Sequence, residues 1–134
     1  MTDVTVPRPV TWEERNRRLL TLFAPLLLLA GVLGFVVPER LSLMSGATAY
    51  NLFHLAFGAL GLVLVRFGWA RGPVLFNLGF GLVDLWQAVA GVTGWFPAEL
   101  FALRPADHVL HVAFGLLLTG VGVMGHRLGS AGAS

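Results

Sequence analysis

His54-Leu55-Ala56-Phe57-Gly58 returns as His111-Val112-Ala113-Phe114-Gly115, 57 residues further on, each copy inside a long apolar run. Upstream, Ala30-Gly31-Val32-Leu33-Gly34-Phe35 is echoed 60 residues later by Ala90-Gly91-Val92-Thr93-Gly94-Trp95, and Pro38 and Pro97 close the two segments. Two echoes in the same order predict a duplicated pair of membrane helices, with one intramembrane histidine in each copy. Internal repetition of this kind sets the architecture before any other feature is read.

Composition agrees. Hydrophobic residues make up 56% of the 134 and charged residues 12%, with a mean hydropathy of +0.78, whereas soluble domains carry roughly 25% charged residues. Four stretches, 19–37, 49–67, 74–92 and 108–125, are each long enough to cross a hydrocarbon core of about 30 Å at about 1.5 Å per residue. The expectation is an all-α membrane protein: a four-transmembrane-helix up-down bundle of two tandem helical hairpins, 19–67 and 74–125. These lie in a single domain, 11–128, with loose tails at 1–10 and 129–134.

The net charge of +2 invites a nucleic-acid partner, but the positions of the charges do not. All nine basic residues are arginines. Arg8, Arg15, Arg17, Arg18, Arg66, Arg71 and Arg127 fall on one side of a four-span chain, and only Arg40 and Arg104 fall on the other. That asymmetry predicts cytoplasmic termini and outer loops at 38–48 and 93–107, in a multi-pass protein of the bacterial plasma membrane. The expected partners are the lipid bilayer and either further copies of the chain or other membrane proteins, with no nucleic acid. Arg17-Arg18-Leu19-Leu20 resembles a twin-arginine signal. Its apolar run is too long for a cleaved leader and no small-x-small site follows, so the first span is expected to be retained. The absence of cysteine excludes disulfides, thiolate catalysis and iron–sulfur ligation, and the absence of lysine excludes Schiff-base chemistry.

Local signals mark the helix ends. Thr11-Trp12-Glu13-Glu14 fits a capping box, Thr11 capping and Glu14 reaching back. Pro25 is expected to kink the first span, and Pro38 to end it. The short turn 66–73 makes spans two and three antiparallel neighbours. Residues 100–103 suit a short interfacial segment, and Asp107 suits the positive end of the fourth helix.

On this layout one polar layer forms near the outer boundary. His54 and His111 lie about 7 Å below it, Gln87 about 7 Å and Asp84 about 12 Å. Asn51 and His108 precede the two histidines by three residues on the same faces, and Gly58 and Gly115 follow them by four as small residues lining a pocket. In an up-down square, spans two and four occupy a diagonal, so the repeated histidines face each other. Buried ionisable side chains are costly in a bilayer and mark function by default.

Three readings stay open. The layer is structural glue within a non-enzymatic bundle that at most binds a small ligand. It is a cofactor site, with His54 and His111 as axial ligands of a b-type haem, or with Asp84 as ligands of a transition metal. Or it is a proton or small-solute pathway through Asp84. No nucleophile–base pair or metalloprotease pattern occurs, so no catalytic residue is assigned and an enzyme is expected only with a redox cofactor.

Gly31-Val32-Leu33-Gly34-Phe35, then Asn51-Leu52-Phe53-His54 with Gly58, then Asp107-His108-Val109-Leu110-His111 resemble the bacterial family called domain of unknown function 4383, over residues 20–125. The resemblance implies a small four-helix membrane protein and brings no activity or cofactor with it. The chain departs from the family pattern at Tyr50, where histidine is expected, and at His108, where asparagine is commoner.

Overall fold

A computed structural model describes residues 7–131, and the expectations for 1–6 and 132–134 lie outside the described residues. The described residues form helices and no strand: α1 (Trp12–Val36), α2 (Thr48–Arg66), α3 (Gly72–Thr93), the single turn α4 (Ala98–Phe101) and α5 (Pro105–Ala131). Four of them, all but α4, are long and apolar enough to span a membrane. Helix α5 continues through Ala131, so Gly129 and the two residues after it are helical where the sequence suggests a loose tail.

The ends follow local chemistry. Thr11 caps α1, its side chain accepting from the Glu14 N–H at 3.2 Å. The reciprocal half of the capping box is absent, because the Glu14 carboxylate turns to Arg18 at 2.5 Å instead. Helix α1 passes through Pro25 without a break and ends at Val36, since the residue before Pro38 is held extended. Pro73 stands in the first turn of α3, and Gly94 ends that helix with φ +74°, a conformation that favours glycine. Phe101 of α4 folds back onto Tyr50 and Phe53, with ring centroids 5.3 Å apart in both contacts.

Two antiparallel pairs make the bundle, α1 with α2 and α3 with α5. Both are drawn together at glycines. A Cβ on Gly58 would sit 2.9 Å from the Leu28 backbone nitrogen, and one on Gly115 3.0 Å from that of Leu85. Such close approach supplies the packing that membrane helices need in the absence of a hydrophobic drive between them. The two pairs make matching contacts 57 residues apart on both helices: Leu28–Gly58 answers to Leu85–Gly115, and Gly34–Asn51 to Gly91–His108. The 60-residue echo is therefore three residues out of packing register. A slip of three is nearly one helical turn, which preserves the face and so preserves the pattern in sequence.

The pairs close on each other through aromatic rings. Phe23–Phe114 (5.1 Å) and Phe57–Phe80 (5.2 Å) are the same contact with the halves exchanged, and Phe23–Phe80 (5.7 Å) joins α1 to α3. Helices α2 and α5 take the longer diagonal of the square; their backbones do not meet. Leu22, Leu29, Val36, Val109 and Leu116 point outward, each more than half exposed, as on helices solvated by lipid. Trp12 and Trp69 stand near the end that carries the termini, and Trp86 and Trp95 stack near the opposite, loop end, at 5.7 Å. Tryptophan at both ends suits the two interfaces of a bilayer.

Candidate functional site: a polar cavity between the helical pairs

Towards the loop end the aromatic layer gives way to a half-open cavity of about 180 Å³, lined by Tyr50 and His54 of α2, Asp84 of α3, and His111 of α5, with phenylalanine and leucine around them. His54 is 6% exposed, Asp84 4% and His111 4%. The two histidines flank one tyrosine. Tyr50 stacks against His54 with ring centroids 4.2 Å apart, and its hydroxyl pairs with His111 Nε2 at 2.8 Å across the long diagonal.

His54 and Asp84 are different. Neither makes a hydrogen bond or ion pair with a described residue, although both are more than nine-tenths buried. Buried polar groups are as a rule satisfied, so each exception calls for an explanation.

The cavity adjoins a larger groove of about 610 Å³ that also touches Tyr50, His54, Ala30, Met44 and Leu110. It opens between α1 and α5, under the loop that follows α1, and its walls are apolar: Leu33 and Val37 on one side, Val109 and Leu110 on the other. A clasp holds that loop. Asp107, fully buried, accepts from the Ser45 N–H at 2.9 Å and the Arg104 N–H at 2.8 Å, and Ser45 Oγ donates to the Phe101 carbonyl. Arg104 reaches across to the Ser42 carbonyl at 2.8 Å and the Glu39 carboxylate at 2.6 Å. Asp107 thus starts α5, as its position suggests, and also fixes the roof.

The other residues expected at the site are placed elsewhere. Asn51 packs where a Cβ on Gly34 would stand, and its amide donates to the Gly46 carbonyl at 3.1 Å. His108 fills the corresponding notch at Gly91, its Nδ1 buried without a partner. Gln87 is 1% exposed, one turn from Asp84 towards the loop end, with neither amide atom bonded, and it does not line the cavity. Gly58 and Gly115 leave no space for a ligand, because Leu28 and Leu85 fill the room they make.

A cofactor finds little to hold it. Among the described residues no three His, Cys, Asp or Glu side chains converge as a metal site, so His54, His111 and Asp84 share a cavity without sharing a coordination point. A haem ligated by both histidines does not fit either: Tyr50 occupies the space between their rings and engages His111 Nε2.

Tyr50 is the participant that sequence reading passed over. Its signal was present. It precedes His54 by four residues, on the same helical face, and stands 57 residues before Asp107, which is buried as deeply.

Compared with family models, with curated proteins and with solved structures, the chain finds no match.

Proposed function

We propose that the chain is a non-enzymatic, multi-pass protein of the plasma membrane that binds a small amphiphile in the His54–Tyr50–Asp84–His111 cavity. In this reading both termini are cytoplasmic, the bundle descends from two tandem hairpins, and the cavity lies in the outer leaflet. The arginine bias supports the orientation. The recurrence of contacts at 57 residues supports the duplication.

One observation carries the ligand: His54 and Asp84 are buried, face one cavity, and make no hydrogen bond or ion pair with a described residue. A purely structural role would leave them bonded to helix neighbours, as buried polar groups in bundles generally are. The groove between α1 and α5 gives a lipid-borne molecule an apolar route to that cavity. Binding is favoured over passage, because Phe57 and Phe76 pack behind Phe80 and close the cavity on the side of the termini.

Native mass spectrometry tests the reading with a panel of dodecanol, dodecanoate and dodecyltrimethylammonium. At least one should be retained one-to-one by the wild type and lost from Ala30→Phe, since Ala30 lines both cavity and groove. Retention of none, or equal retention by Ala30→Phe, overturns it. Topology has its own check in a chain without cysteine. An impermeant maleimide should label Leu43→Cys from outside intact spheroplasts and leave Phe67→Cys unlabelled; both positions are well exposed. The reverse pattern inverts the proposed orientation.

A further inference from the structure

Resting on that reading, we infer that the cavity selects an organic cation, with the Asp84 carboxylate as its counter-charge and the surrounding aromatic rings as its cage. Among the described residues, Asp84 is the only acidic side chain that lines the cavity, and no arginine lines either cavity or groove. Arg104, at the roof, is already engaged by Glu39 and Ser42. No ion pair joins Asp84 to His54 or His111, and the Tyr50 hydroxyl in the same cavity bonds to His111.

An ionised carboxylate in such a place needs a positive partner that the described residues do not supply. The walls suit one. Phe23, Phe80, Phe114 and Tyr50 line the same small space, and aromatic rings attract alkylammonium groups most strongly where the cation is desolvated. Arginine is unsuited to the space, whereas a substituted ammonium is compact and keeps its charge without a hydrogen-bond network. An anionic head finds no positive group in the cavity, and a neutral head gives the carboxyl nothing to ionise against, whereas a cation favours its charged form. The apolar groove then takes the tail, so the occupant is a single-tailed ammonium amphiphile that enters from the lipid between α1 and α5.

The same dodecyl panel separates this inference from the broader reading. Dodecyltrimethylammonium should bind at least about tenfold more tightly than dodecanol, as expected for a cation desolvated among aromatic rings. Asp84→Asn should remove that preference by weakening dodecyltrimethylammonium far more than dodecanol, and Asp84→Glu should restore most of it. Equal affinity for the two heads, or a preference that survives in Asp84→Asn, overturns the cation and leaves the cavity standing. Binding of none of the three panel compounds overturns both proposals. A helical circular-dichroism spectrum and melting profile like the wild type's show that Asp84→Asn is folded.

Discussion

The two ends of the bundle bury polar side chains in opposite ways. Near the termini, Asn16 and Asn77 are fully buried and knit three helices together. The Asn16 amide donates to the Trp12 carbonyl at 2.9 Å and the Val121 carbonyl at 2.8 Å, and the Asn77 amide donates to the Asn16 carbonyl and to Asn16 Oδ1, both at 3.0 Å. Only Asn77 Oδ1 lacks a partner. Near the loops, His54 and Asp84 are buried almost as deeply, make no hydrogen bond or ion pair with a described residue, and face a half-open cavity. The first cluster has the form of a structural joint. The second has the form of a receptor, because its unmet hydrogen-bonding capacity is directed at a cavity instead of a neighbour.

The contrast can be broken by substitution. Gly125→Val should cost most, about 3 kcal/mol by overpacking, since even a Cβ there would overlap the Asn16 amide and come within 3.0 Å of Val74. Reversible unfolding in mixed micelles measures it, and a loss below 1 kcal/mol would mean that the joint yields easily. Asn77→Leu should cost about 1.5 kcal/mol, near the upper range for polar contacts between membrane helices. Asp84→Leu should change stability in the other direction, by about 1 kcal/mol, because it removes an unsatisfied buried carboxyl. The position 57 residues earlier, Leu27, is already leucine and buried. If Asp84→Leu instead destabilises the protein as Asn77→Leu does, the two ends are equivalent and the receptor reading fails. Tyr50→Phe should have the smallest effect, about 0.6 kcal/mol for one bond between helices. It sharpens the contrast by releasing His111, which should add a histidine Nε2 signal open to solvent exchange in nitrogen NMR.

The sequence carried much of the outcome, for identifiable reasons. Span number follows from apolar length alone. The face of each histidine follows from helical periodicity, and the repeat points both faces at the same centre. Asp84 was legible because a single carboxyl in an apolar helix has no inconspicuous place. The knot was half legible: Asn77 stands out within α3, whereas Asn16 sits among charged residues before the first apolar run and reads as surface.

Other features depended on distances that periodicity does not contain. Whether Gly58 and Gly115 opened a pocket or admitted a neighbour depended on how closely the helices approach, and Leu28 and Leu85 fill them. Helices α2 and α5 are too far apart for their histidines to meet directly, so Tyr50, longer by a ring and a hydroxyl, spans the gap. The amino-acid order thus determined which residues face inward and at what height, because a helix fixes angle and rise per residue. Tertiary structure alone decided which of those residues touch and which face a void, because side-chain reach and helix separation are properties of the assembled bundle.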